Sequence, residues 1–147
     1  MTDPAELGAW LRLLLVPGVG RQTARQLLRL FGTPQAAVQA PADVLRPLVG
    51  DGLASALGTE PADLNRALDS VLQWLGGGPQ RQAITLGDAG YPPALLESPD
   101  PPLLLYVQGE LRHLAAPSIA VVGSRRPTAQ GRDNAREFAR QFGAAGY

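Results

Sequence analysis

The sequence predicts an all-helical domain over residues 1–75, a linker at 76–82, and the first part of an α/β domain over residues 83–147. Three observations carry this reading. Up to residue 75, apolar side chains recur at three- and four-residue spacings, the repeat of one helix face. Gly76-Gly77-Gly78-Pro79 then breaks the pattern. Beyond it come short apolar runs compatible with buried strands, the last of which leads through a glycine turn into one more amphipathic helix.

Leu7, Trp10, Leu11 and Leu14 define the core face of a first helix. It must stop at Val16-Pro17-Gly18-Val19-Gly20, because proline lacks a donor and glycine is a poor helix former. Ala24, Leu27, Leu28 and Phe31 form the stripe of a second helix, with Arg21, Arg25 and Arg29 on another face. Gly32 suits the end of that helix, and Thr33-Pro34 reads as the N-cap and first residue of a third. Further helices are expected at about 41–47, 51–57 and 61–75, the last with Leu64, Leu68, Val71 and Leu75 inward. Strands are expected at Ala83 to Leu86, Leu103 to Val107 and Ile119 to Val122. The prolines between the first two leave little room for other structure. Ala135, Phe138, Ala139 and Phe142 face one way on the final helix, which Gly143 and Gly146 close. The final strand, turn and helix read as half of a parallel βαβ unit, so the expectation is the N-terminal part of a longer protein.

Composition excludes several chemistries. There is no cysteine, hence no disulfide framework, thiolate nucleophile or cysteine zinc site. The single histidine, His113, excludes any site that needs two imidazoles. No apolar run approaches the length of a membrane span, so a cytoplasmic location is expected. The 13 basic residues are all arginine and balance 13 acidic ones. A neutral total gives no global field for a polyanion. The balance is nevertheless uneven: residues 10–32 carry four Arg and no acid, residues 118–147 carry five Arg against two acids, and the stretch between is acidic.

Each arginine cluster adjoins a glycine turn. In the first, Gly18 and Gly20 precede a helix start where backbone N–H groups and the helix dipole favour an anion, with Arg21 and Arg25 within reach. Phosphate contact competes here with a purely structural turn between two helices. In the second, Gly123-Ser124-Arg125-Arg126-Pro127-Thr128 and Gly131 lie where a strand runs into a helix, the place where open α/β sheets bind ligands. Gly123 permits close approach, Ser124 and Thr128 offer hydroxyls, and Arg125 can fork onto a phosphate. The spacing is not that of a dinucleotide site, and the absence of lysine excludes a P-loop. The residues leave open whether such a phosphate belongs to a nucleotide or to a DNA strand. Asp133 and Glu137 are placed near the positive end of the last helix, and Tyr91 and Tyr106 are either packing residues or platforms for bases.

The order Asp88-x2-Tyr91-Pro92-x2-Leu95, Asp100-x-Pro102, Leu105-Tyr106-x2-Gly109-x-Leu111 and Val121-Val122-Gly123-Ser124-Arg125 resembles the DNA-processing DprA/Smf family. The resemblance covers the whole chain as a helical SAM-like domain with a helix-hairpin-helix, followed by the start of a Rossmann-like domain. It implies a non-enzymatic protein without a cofactor. Such proteins bind single-stranded DNA entering the cell in natural transformation, protect it, promote loading of the RecA recombinase, and form homodimers. Carried over by position, Gly123, Ser124 and Arg125 contact DNA, with Arg126, Thr128 and Gly131 completing the loop. Gly18, Gly20, Arg21 and Arg25 offer a second contact. Gln130 departs from the family, where an aromatic residue commonly precedes the final glycine of the loop. The alternative is a Rossmann-like enzyme that cleaves the base from a nucleoside monophosphate, using a similar turn for the phosphate.

Overall fold

The computed structural model describes residues 3–147. The chain divides into two compact units, Met1–Glu110 and Leu111–Tyr147.

The first unit opens with α1 (Pro4–Leu15), whose N-cap Asp3 accepts a hydrogen bond from the Ala5 N–H at 3.1 Å. The helix ends at Val16, held extended as a residue before proline must be. Gly18, at φ +88°, reverses the chain, and α2 (Arg21–Phe31) begins after Gly20. Gly32 closes α2 at φ +80° with its N–H on the Leu28 carbonyl. Thr33 then caps α3 (Pro34–Gln39) through Oγ1, which accepts from the Ala36 N–H at 3.1 Å. α4 (Ala42–Val49) and α5 (Asp51–Gly58) meet at Gly50, and α6 (Leu64–Gly76) completes the helices of this region.

α1 is covered from two sides. Trp10 and Leu13 join Ala24, Leu27, Val38, Leu45 and Leu57 in the larger core, while Leu7 and Leu11 meet Leu64 and Ala83 in a second one. This double cover explains why Leu13 is fully buried although it lies outside the single stripe read from the sequence, whose Leu14 packs half-buried against the same core. β1 (Arg81–Thr85) and β2 (Leu104–Gln108) pair antiparallel, with Ala83 opposite Tyr106. β1 packs on α6, so the hairpin belongs to the helical unit. Beside the glycine break, Arg81 folds back to donate to the Trp74 carbonyl at 3.0 Å, and its guanidinium takes the space next to Gly77. The proline-rich crossing between the strands holds one helical turn, α7 (Pro93–Leu96), which the sequence reading did not anticipate.

The second unit contains a 3-10 turn at Leu111–Leu114 and α8 (Ala129–Ala144). The strand expected at Ile119 to Val122 is not formed, and Val122 is 88% exposed. A strand exists through its ladder partner, and no segment among the described residues pairs with this one. The expected parallel sheet is therefore absent from the described residues, whose one sheet is the antiparallel hairpin. The architecture is helical followed by a mixed α and β region. Phe138 stacks on Phe142 at 6.2 Å but stays 59% exposed. Asp133 and Glu137 pair with Arg136 and Arg140 one turn on, so they do not cap the helix as expected; Thr128 does. Among the described residues, no helix is long and apolar enough to cross a membrane.

Candidate nucleic-acid interface

The turn Gly123–Thr128 lies fully exposed ahead of α8. Its hydroxyls already hold its shape. Ser124 Oγ accepts from the Arg126 N–H at 3.1 Å, which folds the backbone into a bend at Arg125 and Arg126. Thr128 Oγ1 accepts from the Gly131 N–H at 3.1 Å as the N-cap of α8. Both hydroxyl hydrogens remain available to a ligand oxygen. Gly123 has neither a positive φ nor any atom near the position of a Cβ, so neither conformation nor packing demands glycine there. The open space is what a ligand approaching the backbone requires. Arg125 and Arg126 have no acidic partner among the described residues. The unit Leu111–Tyr147 carries six Arg against two acids, a net charge of +4. Gln130 sits in the first turn of α8 and donates to Asn134 Oδ1 at 2.7 Å.

The first arginine cluster has a different state. Gly20, Arg21, Arg25 and Arg29 line a polar cleft of ≈ 780 Å³ together with Pro99 and Asp100. Arg21 Nη2 and Arg25 Nη1 each lie 2.6 Å from a separate oxygen of Asp100. Arg25 also donates to the Pro101 carbonyl at 3.1 Å. Two arginines that the sequence offers to a phosphate thus already share one carboxylate from within the chain, which leaves a net charge of +1 on the trio. Gly18 serves the turn itself, through its positive φ. The partner comes from the acidic middle of the chain, and it engages two of the three arginines at four-residue spacing.

Residues 82–147 match the family model described as DNA recombination-mediator protein A. Over that segment the chain is similar to this family. The match starts inside β1 and takes in the hairpin, the proline crossing, the Gly-Ser-Arg turn and α8. The similarity relates that segment to proteins of DNA recombination. No curated protein matches the chain.

Within the matched segment, the Tyr-Pro motif has a structural job. Asp88 Oδ2 accepts from the Thr85 N–H at 2.7 Å, and the Tyr91 N–H donates to the Asp88 carbonyl at 2.9 Å. The turn delivers Tyr91 to a buried position, 4% exposed, where its hydroxyl donates to the Pro102 carbonyl at 2.7 Å. Burial pushes the Tyr91 hydroxyl above its ordinary value, and the Arg25 guanidinium opposes this more weakly. Tyr91 is thereby withdrawn from any base-stacking role. Tyr106 remains half-exposed on β2, edge-on to Trp74 at 5.7 Å, beside a small apolar cleft lined by Ser70 and Val71. Desolvation raises its hydroxyl as well.

Proposed function

We propose that this chain is a single-stranded DNA-binding recombination mediator without catalytic activity, whose primary contact is the Gly123–Thr128 turn. The carrying observation is that the family match includes an exposed turn with two unpaired arginines and a glycine required neither by backbone nor by packing. Arg125 and Arg126 neutralise phosphates, the Ser124 and Thr128 hydroxyls donate to phosphate oxygens, Gly123 lets the strand approach the backbone ahead of α8, and Gly131 leaves room for the Thr128 cap that shapes the turn. Contacts of this kind hold DNA without reading its sequence, which suits protection of incoming strands of any sequence. The reading extends to a cytoplasmic protein that dimerises and hands its strand to the RecA recombinase.

Replacement Arg125→Ala tests the turn. Anisotropy of a labelled oligothymidylate should show binding that weakens severalfold or more in the variant. The slope of affinity against salt should also become shallower by about one ion, as expected for one lost phosphate contact. Unchanged affinity and slope would remove the role assigned to Arg125, and release of free base from a nucleoside monophosphate would replace the binding role with an enzymatic one.

A further inference from the structure

We propose that the cleft before α2 is a second phosphate-binding site, independent of the Gly123–Thr128 turn and closed in the free protein by Asp100 acting as an internal stand-in for a phosphate. The carboxylate presents its two oxygens to two different guanidinium groups at 2.6 Å each. The two non-bridging oxygens of a phosphodiester, or those of a free phosphate, offer the same pair of acceptors to the same arginines.

Four observations carry this assignment. Besides Pro99, the other side chains lining the cleft, Gln22, Gln26 and Arg29, can donate hydrogen bonds, and Arg29 has no acidic partner among the described residues. Gly20, at the mouth of the cleft, has φ −77° with open space where a Cβ would stand, so packing and backbone leave its identity unexplained. It caps α2 without a side-chain acceptor, which leaves the first-turn N–H groups of an eleven-residue helix facing the same space. Finally, the contact is reachable from solvent. Asp100 is 43% exposed and Arg21 is 54% exposed, while Arg25, at 15%, has a second acceptor in the Pro101 carbonyl. One arginine is anchored by a backbone carbonyl, the other is held by the carboxylate alone, and that competing anion stands at the solvent edge.

The substitution Asp100→Asn removes the competing charge with little change in shape. Two partly exposed ion pairs are individually weak, so the expected gain in affinity for a labelled oligothymidylate at low salt is about fivefold. The gain should vanish when Arg21→Gln is added and should persist in an Arg125→Ala background. An Asp100→Asn variant of wild-type thermal stability that binds no tighter overturns the proposal, as does a gain that disappears with Arg125. Failure of the turn to bind DNA would show in Arg125→Ala alone and leaves this result separate. A second measurement needs no substitution at Asp100: titration of the wild-type chain with inorganic phosphate, following the Nε–H signals of Arg21 and Arg25 by NMR. Both signals should move together. Movement with phosphate and with the oligonucleotide assigns the cleft to a nucleic-acid strand, movement with phosphate alone assigns it to a small phosphate compound, and movement with neither overturns it.

Discussion

Replacing Tyr91 by Phe deletes one oxygen and leaves the ring in its buried place. The lost contact is the 2.7 Å bond from the hydroxyl to the Pro102 carbonyl, which ties the start of the proline crossing to its end. A bond of this kind contributes about 1 kcal/mol net, and the Pro102 carbonyl regains part of its loss from water because it is only half-buried. The expected destabilisation is therefore about 1 to 1.5 kcal/mol. For a unit of this size that is a drop of about 4 to 6 °C in Tm. Tyr91→Ala, which also empties the ring's volume, should cost about 3 to 5 kcal/mol. Urea and thermal unfolding followed by far-UV circular dichroism measure both, and an unchanged m-value shows that the native state kept its compactness. The hydroxyl also predicts a pH effect. Because burial raises its pKa in the folded chain, its contribution is fully present below the unfolded value of about 10 and is lost as pH rises through the folded value. The Phe variant should lack that alkaline loss. If it melts together with the wild-type protein and shows the same alkaline profile, the structural role given to Tyr91 is refuted.

Two further outcomes follow from local geometry. Gly18→Ala places a Cβ at φ +88°, where it meets Leu53 at an ordinary 3.5 Å, so the cost is backbone strain of about 1 to 2 kcal/mol. Gly20→Ala meets no such strain and should shift the urea midpoint less. For α8, hydrogen bonds from Arg140 and Gln141 hold the Glu137 carboxyl below the usual carboxylate range. That stabilisation is present above the unfolded pKa of about 4.3 and fades as pH falls through the lower folded value. NMR of the α8 amides in acid should show the end of the helix loosening, and Glu137→Gln should flatten the response.

The helical half was legible because its signals are local. The cap Thr33, the stops at Val16-Pro17 and Gly32, and the stripes of α1, α2 and α6 each act within one or two turns, and the structure places them where the spacing required. The family motif was legible in the same way, as residues in order. The strand at Ile119 to Val122 was not, because an apolar run states only that a strand can form there, while its formation depends on a neighbouring edge. Leu13 escaped for a related reason: a single stripe describes a helix covered on one side, and α1 is covered on two.

By itself, the sequence determined that arginine would be the only basic residue near either glycine turn, that a P-loop and thiol chemistry were excluded, and that residues 119–131 combine glycines, hydroxyls and arginines in one short stretch. Tertiary structure decided which of those arginines are free. Asp100 lies about seventy-five residues from Arg25 along the chain, and only the folding of the proline crossing onto α2 brings its carboxylate between Arg21 and Arg25. Charge falls off with distance in space and not in sequence, so two clusters that read alike as strings become one occupied clamp and one exposed, unpaired turn.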